Sequence, residues 1–281
     1  NMAKIQLLST ILTVVLLILF VVQSAAHACS FMQVVAQDGT RVTSRSMEFG
    51  VDLKPNWTVI PRGREFVSPA PEGRRGMSWK TKHGTLAAFN FGDNTMAIDG
   101  MNEKGLVVSG LWYENDMKWP DLAASGDAPV LSNALLITWL LGNFQTTTEV
   151  AAALKSVAIY AQKIPQMGGM APPLHFAAQD ASGGSIVIEW DNGKLSIYDN
   201  PLGIMTNAPN FPYMMTHLRN YVGLNDGQWT ASDFNGIKIA PTGHGAGMFG
   251  LPGDITPPSR FVRLAVLRQF ALMGSYSPNP S

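Results

Sequence analysis

The sequence contains a single cysteine, Cys29, among its 281 residues. One cysteine cannot form a disulfide within the chain, so packing must stabilise the fold and the thiol is either inert or used in chemistry. The 20 basic and 20 acidic residues give a formal net charge of zero, and no run of basic residues disturbs this balance. We therefore expect no surface for nucleic acid or for anionic lipid.

Motifs for metal binding and for serine hydrolysis are also missing. The histidines of the mature chain stand far apart, with no H-x-x-x-H spacing and no second cysteine, so we expect neither a metal nor another cofactor. No G-x-S-x-G elbow is present, which argues against a serine hydrolase of the α/β type. Residues 245–250 do match G-x-G-x-x-G, but Leu-Pro-Gly follows where a dinucleotide site would have a helix.

The start of the chain has the features of a secretory signal. Lys4 precedes an apolar run over residues 11–22, and Ala26 and Ala28 form the A-x-A arrangement after which signal peptidase cuts. The apolar run is short for a membrane span and lies close to this cleavage site. We predict a signal peptide over residues 1–28 and a secreted or periplasmic location in a bacterium.

Cleavage after Ala28 would make Cys29 the first residue of the mature protein. Such a residue carries a thiol and a free α-amine, and an amine with an ordinary pKa of about 8 can serve as the base for the thiol. Three interpretations stay open: a buried cysteine without chemistry, a lipoprotein with an acylated cysteine, and a hydrolase with an N-terminal nucleophile. A lipoprotein signal generally has an aliphatic residue in place of Ala26 and a small residue in place of His27, which disfavours the second.

Alternating apolar residues predict strands before and after a helical region. Strands are expected over residues 29–36, 41–49, 85–91, 95–99, 107–112, 174–179, 185–190 and 194–198. Helices are expected over residues 127–144, from 146 and over 259–273, and a surface loop over 55–76. This order of strands, two helices and further strands predicts one layered α+β domain.

The first two strands should form a hairpin around the turn at Asp38 and Gly39. The return strand of such a hairpin lies directly beside Cys29, so its polar residues can reach the thiol without any long-range folding assumption. Arg45 and Glu48 are the candidates on that strand.

Five short motifs occur in order along the mature chain: Cys29 at the cleavage site, RSMEFG at 45–50, DGMNEKGL at 99–106, MTNAP at 205–209 and LPGDITPPSRF at 251–261. Together they resemble the choloylglycine hydrolase and penicillin V acylase family, from Cys29 to about residue 270. The resemblance implies an N-terminal nucleophile hydrolase fold with four layers, αββα, in which two antiparallel sheets lie between helical layers. It also implies hydrolysis of linear amide bonds.

The same resemblance assigns roles to individual residues. Cys29 is the expected nucleophile and its α-amine the base, while Arg45 lies beside the thiol and favours the thiolate. Glu48, where the family usually has aspartate, is expected to hold the α-amine. Asn207 is expected to donate its amide to the oxyanion together with a backbone N–H, and Arg260 is the remaining site arginine. An ordinary ion pair is the alternative role for each charged residue.

Trp112 departs from the bile-salt hydrolases of the family, which carry asparagine at this place, whereas penicillin V acylases carry an aromatic residue. Trp112 is therefore expected to line a pocket for an aromatic or fatty acyl group, or else to pack within the sheet. The predicted protein is an exported cysteine amidase whose partner is a small N-acyl amide: a conjugated bile salt, penicillin V or an acyl-homoserine lactone. The alternative is a lipid-anchored binding protein with an acylated Cys29.

Family chains usually continue well past the position of Ser281 with further strands. The resemblance therefore predicts that residues 29–281 form a single, C-terminally truncated domain. The resemblance is compatible with a homotetramer, but the sequence itself does not determine the oligomeric state.

Overall fold

The protein combines mainly antiparallel strands with α-helices, as described by a computed structural model that covers residues 28–36, 38–50, 52–90 and 96–273. The predicted signal peptide, residues 1–28, lies outside these ranges except for Ala28. The helices are α1 (Leu136–Asn143), α2 (Thr147–Leu154), α3 (Phe211–Leu218) and α4 (Pro257–Met273). The strands are β1 (Ala28–Val35), β2 (Arg41–Glu48), β3 (Asn56–Ile60), β4 (Glu65–Val67), β5 (Ser78–Lys80), β6 (Thr85–Phe89), β7 (Ala97–Asn102), β8 (Val107–Trp112), β9 (Val130–Ser132), β10 (Ala158–Tyr160), β11 (Leu174–Gln179), β12 (Ser185–Asp191), β13 (Lys194–Asp199), β14 (Ile204–Met205), β15 (Ser232–Phe234) and β16 (Ile237–Ile239).

The larger sheet has seven antiparallel strands in the order β13-β12-β11-β8-β7-β6-β3. Successive side chains of a strand point to opposite faces of the sheet. The central strands of the sheet can therefore be apolar on both faces when other layers cover both faces. Val108 and Phe176 belong to the apolar cluster that contains Leu140 of helix α1. Their neighbours Leu111 and Ala177 belong to a second cluster on the opposite face.

That second cluster joins the larger sheet to a smaller one of order β14-β1-β2. Phe31 of β1 points into it and is fully buried, as is Phe261 of helix α4. Alternate residues of β1 face the other way, where Ser30 contacts Arg260 of helix α4. The layers are therefore helices, large sheet, small sheet and helices, which confirms the predicted αββα arrangement.

Several local predictions are confirmed. The hairpin of β1 and β2 is present, and its register pairs Cys29 with Met47. Helix α2 begins with a capping box, in which the side chain of Thr146 accepts a hydrogen bond from the backbone of Glu149 and the Glu149 side chain accepts one from the backbone of Thr146. The helix expected over residues 259–273 is the main part of α4.

The helix expected over residues 127–144 is shorter than predicted. Residues 130–132 form β9, which pairs in parallel with β10. Ser132 ends this strand, and its Oγ accepts a hydrogen bond at 3.1 Å from the N–H of Ala134, which starts a single 3-10 turn. Helix α1 begins only at Leu136, because the preceding residues form strand β9 and the 3-10 turn.

The loop expected over residues 55–76 contains two strands, β3 and β4. β3 carries Trp57, Val59 and Ile60, residue types that favour strands, and it forms the edge of the larger sheet. Helix α3 was not predicted, although Asn210 caps it by accepting a hydrogen bond at 3.1 Å from the N–H of Tyr213. No helix among the described residues combines the length and the apolar character needed to span a membrane.

Candidate active site

Cys29 lies between the two sheets, where its side chain is only 3 % exposed. Strand alternation places it on the inner face of β1, and Arg45 occupies the same face of the neighbouring strand β2. The guanidinium Nη2 of Arg45 lies 3.3 Å from the Sγ of Cys29. The hairpin thus brings this arginine to the thiol, and a cation at that distance favours a thiolate.

Arg45 also forms a buried ion pair that the sequence analysis missed. Its Nη1 donates to the Oδ2 of Asp99, a residue of strand β7 in the larger sheet. Burial alone lowers the pKa of Arg45, but the charge of Asp99 and the nearby Cys29 sulfur raise it above its usual value. Burial raises the pKa of Asp99, and Arg45 opposes that shift. The available signal was an acidic residue inside an otherwise apolar strand.

Asn207 holds the backbone of Cys29. Its Oδ1 accepts a hydrogen bond at 2.9 Å from the backbone nitrogen of Cys29 and a second at 2.6 Å from Nη2 of Arg260. Its Nδ2 donates to the backbone carbonyl of Trp112 at 2.7 Å. A side-chain amide carries two N–H groups, so this bond leaves the second one for another acceptor.

Arg260, in the first turns of helix α4, contacts the same group of atoms. Its Nη1 donates to the backbone carbonyl of Cys29 and, at 2.8 Å, to Oγ of Ser30, while Nε donates to the carbonyl of Ile255 at 2.9 Å. Burial lowers the pKa of Arg260, and the nearby charges of Glu48 and Cys29 act in the opposite direction. Among the described residues it makes no salt bridge, so its partners here are oxygens of neutral groups.

Glu48 is placed differently from the other predicted residues. It lies an odd number of positions from Arg45 on the same strand, so its side chain is on the opposite, exposed face of β2. Its carboxylate accepts a hydrogen bond at 3.3 Å from Oγ of Ser46. The structure does not bring this carboxylate to the backbone nitrogen of Cys29, which bonds Asn207 instead.

Trp112, at the end of strand β8, is one wall of a small cavity beside Cys29. The cavity has a volume of about 30 Å³, and its walls include Phe49, whose ring packs edge-on against the Trp112 indole at 5.5 Å. The indole Nε1 donates to Oε2 of Glu114 at 3.1 Å. A second cavity of about 860 Å³ lies between β2 and the larger sheet and shares four lining residues with the first, including Arg45.

A buried pair of histidine and glutamate supports the segment that carries Asn207. Nδ1 of His175 lies 3.0 Å from Oε1 of Glu189, and Nε2 lies 2.9 Å from the backbone carbonyl of Thr206. The two ring nitrogens therefore connect strand β12 to the backbone just before Asn207. Glu189 also accepts hydrogen bonds from the N–H of Phe211 at the start of helix α3.

The comparisons with known proteins agree with this geometry. The sequence model of the linear amide C–N hydrolases, choloylglycine hydrolase family, matches residues 29–274. The chain belongs to this family. The match begins at Cys29, and the family consists of hydrolases of linear amide C–N bonds.

Relatives and solved structures extend the comparison. The chain is 32 % identical over 247 residues to a bile salt hydrolase/transferase of Clostridium perfringens, covering 85 % of this chain and 71 % of the relative. A solved mutant of a conjugated bile acid hydrolase from Clostridium perfringens superposes with a TM-score of 0.76 at 29 % identity, covering 88 % of this chain and 74 % of that one. Penicillin V acylase from Agrobacterium tumefaciens superposes with a TM-score of 0.69 at 26 % identity, covering 90 % and 68 %. The fold is that of the N-terminal nucleophile hydrolases.

Coverage of the relatives varies. The chain is 37 % identical to a conjugated bile acid hydrolase of Lactobacillus acidophilus but spans only 53 % of its length. The chain therefore spans between about half and three quarters of the relatives named here. Within the described residues, no three potential metal-ligating side chains lie together.

Proposed function

We propose that this protein is an exported cysteine amidase that hydrolyses linear N-acyl amides, with Cys29 as its N-terminal nucleophile. One observation carries the proposal: Sγ of Cys29 lies 3.3 Å from Arg45 Nη2, while the nitrogen of the same residue lies 2.9 Å from Asn207 Oδ1. A charged donor thus faces the sulfur and an acceptor orients the future α-amine. Family membership supports the reaction class.

In the proposed reaction the α-amine of Cys29 takes the thiol proton and the sulfur attacks the amide carbonyl carbon. The second N–H of the Asn207 side chain and a backbone N–H stabilise the negative oxygen of the tetrahedral intermediate. The C–N bond then breaks, the ammonium returns its proton to the leaving amine, and a thioester remains. Water hydrolyses the thioester with the α-amine again as base, which releases the acid and the free thiol.

The role proposed for Arg260 is to keep this arrangement in place. It holds the carbonyl of Cys29 and the Oδ1 of Asn207 at once, so it fixes the nucleophile relative to the oxyanion donor. The role of Glu48 in holding the α-amine stays a prediction, and the placement of its carboxylate on the exposed face of β2 does not support it.

The substrate class is proposed from the relatives and from Trp112. A conjugated bile salt, penicillin V and an acyl-homoserine lactone each present a linear amide to the nucleophile, and the named relatives include bile salt hydrolases and a penicillin V acylase. The indole beside the Cys29 cavity favours a flat or narrow acyl group over a bulky steroid.

The lipoprotein alternative fits this structure poorly. A lipid attached to the thiol would have to extend to the surface from a sulfur that lies between the two sheets, and Cys29 is only 3 % exposed. Intact mass of the exported protein decides: a mature chain that begins at unmodified Cys29 supports the amidase, and a diacylglycerol adduct contradicts it. Export, the domain limits 29–281 and a homotetramer stay predictions, and sedimentation of the purified protein tests the last.

The principal experiment compares three exported or purified forms on penicillin V, an acyl-homoserine lactone and glycocholate. The form that starts at Cys29 should be active. Cys29→Ser should lose nearly all activity while it keeps its fold, because an alcohol ionises far less readily than a thiol. A form that keeps a residue before Cys29 should also be inactive, because its α-nitrogen is an amide. Full activity in either altered form contradicts the mechanism.

A further inference from the structure

Three side chains form a line between the two sheets. Asp99 Oδ2 accepts from Nη1 of Arg45, and Nη2 of the same guanidinium lies 3.3 Å from Sγ of Cys29. The arginine thus presents one nitrogen to a carboxylate and the other to the sulfur. The rigid planar fork of a guanidinium fixes the direction of one nitrogen once the other is held.

The two ends of this line belong to different layers. Cys29 and Arg45 are on adjacent strands of the small sheet, whereas Asp99 is on a strand of the larger one. In its sheet Asp99 is paired with Ala88 on one side and Ser109 on the other, so its backbone is held on both sides. Arg45 has a long side chain with many rotamers, and a fixed partner is needed to select one of them.

The pair is largely buried. The side chains of Arg45 and Asp99 are 9 % and 14 % exposed. A buried guanidinium remains paired with its carboxylate, because an unpaired charge in the protein interior costs free energy. The position of Asp99 therefore determines where the Arg45 charge is located relative to the sulfur.

We infer that Asp99 is a positioning residue that directs the guanidinium of Arg45 toward the Cys29 thiol. The inference rests on the proposed function, since it gives the direction of Arg45 a use in preparing the nucleophile. Asp99 itself does not touch the sulfur or the substrate carbonyl in this account. It acts only through Arg45.

The direction in which loss of the Asp99 charge changes thiolate formation separates a positioning role from a direct electrostatic effect. Removing the negative charge of Asp99 while Arg45 stays in place would make the thiolate easier to form. If Arg45 instead loses its direction and moves away, the thiolate becomes harder to form. A purely structural role changes stability and leaves thiol ionisation as it was.

The experiment is to measure the pH midpoint of Cys29 alkylation by iodoacetamide in protein that begins at Cys29. The chain has one cysteine, so every alkylated thiol is Cys29. In Asp99→Asn the midpoint should rise by about one pH unit, the low end of the shift that a nearby opposite charge produces. A midpoint that stays at the wild-type value or falls overturns the inference.

A control and a coupled pair of variants complete the test. Glu103→Gln removes the carboxylate of another arginine pair, that of Arg62, at the protein surface, and should leave the midpoint unchanged. In an Arg45→Gln background, Asp99→Asn should no longer raise the midpoint, because Asp99 acts through the missing guanidinium and loss of its charge alone can only lower the midpoint. A rise there of the size seen with Arg45 present shows an effect that does not pass through the guanidinium and contradicts the inference.

A fold-preserving variant covers the case in which Asp99→Asn does not fold. Asp99→Glu keeps the charge but moves it by one methylene, so the midpoint should still rise, by less than in the asparagine variant. A wild-type midpoint in folded Asp99→Glu overturns the inference. Because alkylation needs no substrate, these results stand apart from amidase activity: absence of hydrolysis by the wild type counts against the proposed function alone.

Discussion

Arg260 connects more atoms of the candidate site than any other predicted residue, so its replacement by lysine is the sharpest test of how the site is held. The guanidinium uses Nη1 for the Cys29 carbonyl and Ser30 Oγ, and Nη2 for Asn207 Oδ1. Lysine keeps the positive charge but has one nitrogen, which cannot occupy both η positions. At least one charged hydrogen bond must therefore be lost.

The size of the effect follows from that count. A hydrogen bond to a charged group contributes about 1.5–3 kcal/mol. If the lost bond is needed in the transition state, kcat/KM of Arg260→Lys should fall about 10- to 150-fold, since about 1.4 kcal/mol corresponds to a factor of ten. Arg260→Gln, which also removes the charge, should fall further.

The assay is kcat/KM on the best of the three substrates named above, with thermal unfolding measured in parallel. Arg263→Lys is the matched control, because Arg263 lies on the same helix and donates to the carbonyls of Pro252 and Asp254, away from Cys29. Its kcat/KM should match the wild type. A folded Arg260→Lys with wild-type kcat/KM would refute the reasoning that Arg260 aligns the nucleophile with Asn207.

Three further predictions concern specificity, stability and pH. Trp112→Asn should raise the ratio of kcat/KM on glycocholate to that on penicillin V, and an unchanged ratio would mean that the indole only packs. Glu189→Gln should lower the free energy of unfolding in urea by about 1–3 kcal/mol, because the amide nitrogen is a donor and replaces a carboxylate oxygen that accepts from the buried N–H of Phe211; an unchanged free energy of unfolding contradicts this reasoning. Although burial raises it, hydrogen bonds from neighbouring hydroxyl and backbone groups lower the pKa of Asp180 to about 2. The stabilisation is present above the unfolded pKa of about 3.9 and is lost as the pH falls through 2. The free energy of unfolding of Asp180→Asn should therefore fall less steeply with decreasing pH than that of the wild type. An equally steep fall would contradict the assignment.

The placement of Arg45 beside Cys29 could be predicted because it depends on local structure alone. A short turn fixes the register of a hairpin, and alternation then decides which residues share a face. The same rule places Glu48 on the other face of the strand, since residues three apart on a strand face opposite sides. The role expected for Glu48 came from the family motif and not from the strand period, and it stays a prediction.

The placement of Asp99 could not be predicted in that way. Its contact with Arg45 crosses from one sheet to another, and it depends on how the sheets are stacked and aligned. Neither strand carries that information in its own pattern. The contacts of Asn207 and Arg260 with Cys29 are equally distant along the chain, and these two residues were found only because they lie in motifs shared with a known family.

The hydrogen bond from the Cys29 nitrogen to Asn207 Oδ1 is formed in a chain that still carries Ala28. An amide nitrogen in that position cannot accept a proton, whereas the amine left after cleavage can. Under the proposed mechanism, then, the uncut chain is a zymogen whose latency is chemical and not conformational. Within the described residues, the contact between Cys29 and Asn207 is already formed before cleavage, so structures of the precursor and the mature protein should superpose at the Cys29 nitrogen.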